Sequence, residues 1–193
     1  MDIGNYFFTY RSYTPIPLAA VILYNAQLAN AYVLLGMALV ILGESIRFWA
    51  VSYAGGITRT TKVGAATLCT AGPFAYTRNP LYMGNMLMYN GIVLIAGASN
   101  ILTMLTLTWL FFIIQYLLII DLEEKTLTSL FGNTYINYKK NVPRIFPRLF
   151  RWESDDSSQP MTLLKTLYTE KRTLQNVILF FLLIYMRSQF LEQ

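Results

Sequence analysis

The sequence contains no histidine and one cysteine, Cys69, and these absences narrow its chemistry. Without His, the chain lacks the side chain that most often serves as general base, proton shuttle or metal ligand near neutral pH. A single Cys excludes a disulfide within the chain and a cysteine-rich metal site. We therefore expect no bound metal, and the lone Cys predicts no special chemistry.

Charged residues are also scarce: they make up 13% of the 193 residues, whereas hydrophobic residues make up 55%. A soluble domain has about 25% charged residues, so lipid is expected to surround much of the surface. The net charge is +5, and the basic residues flank apolar runs. This arrangement indicates contact with anionic lipid headgroups and not with nucleic acid.

Several apolar runs are candidates for membrane helices. Residues 31–53 and 101–120 are each long enough to cross about 30 Å of hydrocarbon, and the second carries no charge. Residues 16–25 reach spanning length only if their neighbours contribute. Residues 81–98 are interrupted by Gly and Asn, and the turn at 97–100 predicts an antiparallel hairpin with the following run.

A fifth apolar run, residues 177–186, either completes a tilted span or forms an amphipathic helix in the interface. We therefore predict an all-α fold, a polytopic membrane helix bundle with four to five transmembrane helices and a cofactor pocket on the cytoplasmic face. Residues 1–151 would form the membrane domain, 152–160 an acidic, mobile linker, and 161–193 the C-terminal helix.

The basic residues predict how the chain is oriented in the membrane. With four spans, every cluster falls on one side, and the positive-inside rule assigns that side to the cytoplasm. The connections near residues 25–30 and 97–100 hold no Lys or Arg. The clusters comprise Arg11, Arg47, Arg59, Lys62, Arg78, Lys125, Lys139, Lys140, Arg144, Arg148 and Arg151.

The first polar stretch, residues 72–85, lies on this predicted cytoplasmic side. Gly72 and Pro73 mark a turn, and Pro80 suits the first position of a helix because its missing N–H is not needed there. Asn79 would then be the N-cap. A helix N-terminus presents free N–H groups to a ligand carboxylate, and Gly84 would allow close approach. A capped helix entering the membrane is the alternative interpretation.

The second polar stretch begins where the uncharged run 101–120 ends. Asp121, Glu123 and Glu124 follow this run directly, and acids at such a position need water, cations or a ligand. Gly132 predicts a helix stop, followed by a short helix capped by Asn133 or Thr134. That helix would carry Tyr135 and Tyr138 on one face. A solvated helix end with interfacial tyrosines is the alternative here.

Taken together, the stretches follow one order: Arg-Asn-Pro-Leu-Tyr-x-Gly, a helical hairpin, Glu-Glu, Phe-Gly-x-x-Tyr-x-x-Tyr and Val-Pro-Arg-x-x-Pro. This order resembles the isoprenylcysteine carboxyl methyltransferase and phospholipid methyltransferase families over residues 72–147. The resemblance implies an integral membrane enzyme that uses S-adenosylmethionine and takes a lipophilic or lipidated substrate from the bilayer. The isoprenylcysteine enzymes typically carry His where this chain has Asn79, so the methyl acceptor stays open.

The resemblance implies roles for individual side chains. Arg144, Arg78 and Glu124 are the expected catalytic residues. Arg144 or Arg78 would orient a substrate carboxylate, with Tyr135 and Tyr138 closing the site. An ionised carboxylate can attack the methyl group without a general base, so the lack of His is no obstacle. The expected cofactor contacts are Gly72, Pro73, Tyr76, Thr77, Asn79, Pro80, Tyr82, Gly84, Glu123 and Glu124.

Two other functions remain open. Membrane sterol-type reductases have a similar C-terminal half and use NADPH, although no extra basic cluster here suits a 2′-phosphate. A non-enzymatic assembly subunit or small transporter would bind no nucleoside tightly. Polar residues within the hairpin, such as Asn85 and Asn90, fit helix packing as well as transport.

Overall fold

The computed structural model describes residues 3–27, 31–56, 60 and 63–191, and within these ranges it contains helices and no β-strand. A short 3₁₀ helix, Gly72–Ala75, precedes the fourth α-helix. Arg59 and Lys62, two of the basic residues used for orientation, lie outside the described residues. The α-helices are α1 (Ile3–Thr9), α2 (Ile16–Tyr24), α3 (Val33–Ala54), α4 (Pro80–Ala96), α5 (Ile101–Phe131), α6 (Asn133–Asn141) and α7 (Leu163–Leu191).

Two of these helices, α3 and α5, are long and apolar enough to cross a membrane. Both were predicted from their apolar runs, of which the first carries Glu44 and Arg47 near its end and the second carries no charge. At 1.5 Å per residue, the 31 residues of α5 extend about 46 Å, whereas the hydrocarbon layer is about 30 Å thick. The uncharged part, residues 101–120, accounts for about 30 Å of this length. When it spans the hydrocarbon, the charged C-terminal third of α5, from Asp121 onward, lies outside that layer.

Helices α3 and α4 pack closely through two pairs of facing glycines. A Cβ atom on Gly91 would lie 2.5 Å from the carbonyl oxygen of Gly36, and one on Gly84 would lie 2.7 Å from that of Gly43. The glycines are seven residues apart on each helix, so both pairs lie on the same face of an antiparallel pair. Small residues at such positions let membrane helices approach by their backbones.

The hairpin formed by α4 and α5 confirms the prediction from the turn at residues 97–100. Gly97 ends α4 in the left-handed conformation, with a φ of 63° that glycine adopts readily. The rings of Tyr82 and Tyr116 stack with centroids 4.5 Å apart, and Asn85 Nδ2 donates to Tyr116 Oη at 2.9 Å. These contacts fix the register of the two helices.

The C-terminal helix α7 belongs to the same bundle and is joined to α3 by a buried ion pair. Arg47 Nη2 lies 2.7 Å from Glu170 Oε1, and Glu170 is fully buried. The other end of the Arg47 guanidinium donates to Asn85 Oδ1 at 2.6 Å. Ile184 of α7 packs in the core with residues of α2 and α4, such as Ile22. The ion pair therefore connects α3, α4 and α7 in the interior.

The acidic segment 152–160 contacts the loop before the 3₁₀ helix. Asp156 Oδ2 accepts hydrogen bonds from the backbone N–H groups of Thr70 at 2.6 Å and Ala71 at 3.0 Å. Burial alone would raise the pKa of Asp156, but these bonds and those from Ser158 hold it below its ordinary value. At the end of the segment, the Met161 N–H donates to the Ser52 carbonyl at 2.7 Å. The segment predicted as a mobile linker is thus bonded to the rest of the structure at its middle and at the residue that follows it.

Two capping predictions need correction. Asn79 does occupy the N-cap position of α4, but its side chain makes no capping hydrogen bond because it bonds another segment instead. The residue capping α6 is Gly132, not Asn133 or Thr134, and no side chain caps that helix. Gly132 ends α5 with a φ of 53°, as the sequence predicted, and α6 starts at the next residue.

Candidate active site

The two polar stretches lie side by side, joined through their backbones. The Arg78 N–H donates to the Pro143 carbonyl at 2.9 Å, and Thr77 Oγ1 donates to the Ile145 carbonyl at 2.9 Å. The Arg148 N–H donates to the Tyr76 carbonyl at 3.0 Å. This pairing satisfies polar groups of both loops without regular secondary structure. It brings residues about 65 positions apart in sequence to the N-terminus of α4.

Side chains strengthen this junction from both directions. Asn79 Nδ2 donates to the Arg144 carbonyl at 2.8 Å. Arg78 Nη1 donates to the carbonyl of Lys139 at 3.0 Å and also to that of Val142. Asn79 therefore serves here as a tertiary contact, which neither its position before Pro80 nor its capping propensity would indicate.

Glu124 lies at the centre of the charged part of the site and is only 4% exposed. Arg78 Nη2 lies 2.7 Å from its Oε1, and Arg144 donates from Nε at 3.0 Å and Nη2 at 2.8 Å. Lys139 Nζ lies 3.0 Å from Oε2. The hydrogen bonds to Glu124 raise the pKa of Arg144 above its ordinary value. Three cations thus surround one carboxylate, which gives the cluster a surplus of positive charge.

Glu123 points to a different part of the structure, because adjacent residues on a helix are about 100° apart. Tyr82 Oη donates to Glu123 Oε2 at 2.9 Å, and the charge of Arg11 also acts on this carboxylate. The Tyr82 ring stacks on Tyr116. The two acids therefore divide the site into a cationic side around Glu124 and an aromatic side next to Glu123.

A cavity of about 300 Å³ opens on the cationic side. Ligand pockets are commonly about 300–1,000 Å³, so this volume suits part of a nucleoside-sized molecule or a polar headgroup. Within the described residues, no group of three or more His, Cys, Asp or Glu could hold a metal ion. The cavity is lined by Asp121, Glu124, Lys125, Thr128, Lys139 and Arg144.

The predicted substrate-binding tyrosines are buried beneath the junction. Tyr135 and Tyr138 are each 2% exposed, and Tyr138 Oη donates to the Phe74 carbonyl at 2.7 Å. The Tyr138 ring lies 5.6 Å from that of Trp152. Burial raises the pKa of both phenols, which therefore stay protonated. In this structure the Tyr138 hydroxyl stabilises the 3₁₀ turn through its hydrogen bond to Phe74. The role of Tyr138 toward substrate stays a prediction.

The glycines and aromatics of the first stretch fall into two groups. Gly72 has a φ of 57°, and a Cβ there would lie 2.5 Å from the ring of Tyr53, so the turn requires glycine. Tyr76 has its ring 5.9 Å from that of Trp49 on α3. Gly84 faces Gly43 and Arg47 of α3, away from the charged cluster. The close approach at Gly84 is therefore between α4 and α3.

Two contributors to this region were not predicted from the sequence. Lys139 forms an ion pair with Glu124. The buried pair Arg47–Glu170 contacts α4 through the hydrogen bond from Arg47 to Asn85. Lys139 follows Tyr135 by four residues and so lies near it on α6, which offered a signal. Glu170 offered a weaker one, as a lone acid seven residues before the apolar run 177–186.

Comparison with known proteins identifies the family to which the chain belongs. The chain belongs to the phospholipid methyltransferase family, whose family profile matches residues 31–134, more than half of the chain. The family resemblance in the sequence is thereby confirmed, and with it membership of a family of membrane methyltransferases.

Individual relatives differ in what their names describe. The chain is 33% identical over 122 residues to the cobalt-zinc-cadmium resistance protein CzcN of Cupriavidus metallidurans, covering 62% of this chain and 52% of that protein. It is 31% identical over 118 residues to protein-S-isoprenylcysteine O-methyltransferase of Xenopus laevis, covering 58% and 40%. Methanethiol S-methyltransferase 2 of Bradyrhizobium diazoefficiens is 26% identical over 103 residues, covering 53% and 38%.

The chain therefore spans about two fifths to one half of the length of these curated relatives. No solved structure matches it. The part matched by the family profile includes α3 and α4 and nearly all of α5. Glu123 and Glu124 lie on α5, and Arg78 lies two residues before α4.

Proposed function

We propose that this protein transfers the methyl group of S-adenosylmethionine to a lipophilic acceptor, the carboxylate of an isoprenylcysteine-like or other lipophilic acid. The observation that carries the proposal is the junction of the two polar stretches beside a cavity where Arg78, Arg144 and Lys139 surround Glu124. The surplus positive charge there suits an anionic ligand group.

The residues present fit the polar groups of this cofactor, which supplies an activated methyl group when bound. The cationic side would bind its carboxylate, chiefly through Lys139, which lines the cavity and is 38% exposed. Glu123 and Tyr82 would bind the amino group or the ribose hydroxyls. The turn Gly72–Ala75, with Tyr76 and Thr77, would hold part of the adenosine. Gly84 packs against α3, and a contact between Gly84 and the cofactor stays a prediction.

Arg144 would orient the acceptor. Its Nε and Nη2 are both directed at Glu124, which fixes the plane of the guanidinium. The remaining donors of that plane are available to orient an acceptor carboxylate, and a fixed guanidinium loses less entropy when it binds one. Attack on a methyl carbon needs alignment at about 3 Å, so such orientation would supply much of the rate enhancement.

An apolar cavity supports a lipophilic acceptor. It has a volume of about 720 Å³ and lies between α3 and α7, with Phe48, Leu174 and Phe181 in its wall. Trp49 also lines it, and the ring of Trp49 contacts Tyr76 beside the turn. A hydrocarbon chain in this cavity would lie next to the proposed cofactor site.

For the membrane arrangement we propose a multi-pass protein with four to five spans and the charged site on the cytoplasmic face. Helices α3 and α5 meet the length and hydropathy requirement, and α4 and α7 are bound into the same bundle. Residues 1–151 would form the methyltransferase domain, with α7 following the attached segment 152–160. The positions of Lys139, Lys140 and Arg144 beyond the uncharged part of α5 support the orientation.

The test is methyl transfer by the purified protein in nanodiscs, using labelled S-adenosylmethionine and a panel of lipophilic acids, thiols and amines. Calorimetry with S-adenosylhomocysteine and with NADPH would separate methyltransferase from reductase. We expect S-adenosylhomocysteine to bind, and Glu124→Gln and Arg144→Ala to lose activity while retaining the wild-type elution profile and helix content.

Two adjacent lysines provide a matched control. Lys139 bridges to Glu124, whereas Lys140 is exposed and does not line the cavity. We expect Lys139→Ala to lower kcat/KM about tenfold, equivalent to the loss of about 1.4 kcal/mol of transition-state stabilisation. Lys140→Ala should retain wild-type activity. Equal activity of the two variants and of Arg144→Ala would overturn the assignment.

A further inference from the structure

The loop that follows Arg144 combines exposed apolar side chains with arginines. Phe146, Leu149 and Phe150 have exposed fractions of 79%, 91% and 79%. Three such large side chains within five residues form an exposed apolar patch of the kind that marks an interaction site. Arg148 and Arg151 lie among them, so the patch is basic as well as apolar. We call residues 146–151 the interfacial loop.

The depth of this loop follows from its attachment to α5. Arg144 binds Glu124, which lies four residues, or about 6 Å along the helix axis, beyond the last uncharged residue, Ile120. On each side of the hydrocarbon, the headgroup region is about 5–8 Å thick. When residues 101–120 fill the hydrocarbon, the loop therefore begins at the level of the headgroups.

Backbone hydrogen bonds fix the position of the interfacial loop, so its apolar side chains stay exposed and do not pack against the rest of the protein. The Arg148 N–H bonds the Tyr76 carbonyl at 3.0 Å, and the Trp152 N–H bonds the Ala75 carbonyl at 3.0 Å. Arg148 Nη1 also donates to the Asn141 carbonyl at 2.9 Å. With both ends fixed, the apolar side chains of the loop remain directed outward.

We propose that the interfacial loop inserts into the boundary between headgroups and acyl chains and binds anionic lipid there. Phe146, Leu149 and Phe150 would enter the apolar part of the boundary, while Arg148 and Arg151 would contact lipid phosphates and other anionic headgroup oxygens. Basic residues beside apolar anchors are the combination that binds anionic membrane surfaces. This proposal depends on the loop and its depth, and it would stand even without methyl transfer.

The experiment measures where a label on the loop resides. The full chain carrying Cys69→Ser and Leu149→Cys is labelled with bimane and reconstituted in nanodiscs of phosphatidylcholine, with or without phosphatidylglycerol. We expect the emission to shift to shorter wavelength and to be quenched by lipids brominated near the headgroup. The same label at Glu153→Cys, an exposed position outside the loop, should stay accessible to iodide in water.

Charge dependence is tested with a matched pair of arginines. Arg151→Gln removes an exposed charge from the loop, and Arg172→Gln removes one from α7. The ratio of lipid-immersed to water-exposed label should favour phosphatidylglycerol, and Arg151→Gln should reduce this preference about fivefold, as expected for one basic residue near an anionic surface. Arg172→Gln should leave it unchanged.

Three results would overturn the proposal. The label at Leu149 could remain as accessible to iodide as the label at Glu153. It could be immersed equally in neutral and anionic nanodiscs, which would remove the lipid selectivity. It could also be shielded in detergent without any bilayer, which would identify a protein surface, such as a second copy of the chain, as the partner.

Discussion

The facing glycines of α3 and α4 allow a stability effect to be worked out from the structure. A Cβ on Gly91 would lie 2.5 Å from the Gly36 carbonyl oxygen, 2.8 Å from Val40 Cγ2 and 2.9 Å from the Val40 nitrogen. Ordinary contact begins near 3.4 Å, so Gly91→Ala requires the helices to separate by about 0.9 Å at this point. Two of the three obstacles are backbone atoms, which cannot rotate away.

The magnitude follows from two opposing terms. Overpacking a close contact costs about 1–3 kcal/mol, and a backbone obstacle places this substitution near the upper end. Replacing a helical glycine by alanine returns about 1 kcal/mol through the lower entropy of the unfolded chain. The net loss is about 2 kcal/mol, which corresponds to a melting temperature about 4–8 °C lower for a protein of this size.

The assay is thermal unfolding of the detergent-solubilised protein followed by circular dichroism at one heating rate. Gly56→Ala is the matched control, because a Cβ there has no atom within 4 Å. The combined variant Gly36→Ala, Gly91→Ala should lose less than the sum of the single losses, since the first substitution already separates the helices. A Gly91→Ala protein that melts as high as Gly56→Ala would refute the close-packing argument.

Three further perturbations have defined outcomes. Glu170→Gln removes the nearer of the two carboxylates described beside buried Arg47 and leaves Glu44, whose Oε2 lies 3.8 Å from Arg47 Nε. The substitution should cost about 3 kcal/mol, measured by denaturant or thermal unfolding, with an unchanged midpoint counting against the buried pair. Tyr138→Phe removes the hydroxyl that bonds the 3₁₀ turn and should cost about 1 kcal/mol, measured in the same way. Asp156 stabilises the fold above its unfolded pKa of about 3.9, and this stabilisation is lost as pH falls through the lower folded pKa. Asp156→Asn should therefore reduce the loss of stability between about pH 5 and pH 2, whereas Asp155→Asn should not.

Local patterns predicted the elements whose signals lie within one segment. The uncharged run at 101–120 gave α5, Gly97 gave the end of α4, and Gly132 gave the end of α5. The junction of the two polar stretches was inferred from the order of several motifs, and the structure brings those stretches together. Each of these features depends on neighbouring residues or on a family pattern visible in the sequence.

Partner choice within the junction could not be read from the same patterns. Asn79 has the propensity of an N-cap, yet its amide reaches the Arg144 carbonyl because tertiary contact placed that acceptor beside it. Gly84 is the last residue of the first polar motif, yet it faces α3. Single-residue propensity does not specify which distant segment lies on each side of a helix, so these details required the structure.

The pairing of residues 75–79 with residues 143–152 also determines when the site can form during synthesis. A chain emerges from the ribosome N-terminus first, so Arg78 and the start of α4 reach the membrane well before Arg144 has been translated. Until then, Arg78 has neither the Pro143 carbonyl nor the neighbouring cation to share Glu124. The bundle of α3, α4 and α5 can thus be inserted first, and the charged site is completed only when the later loop arrives.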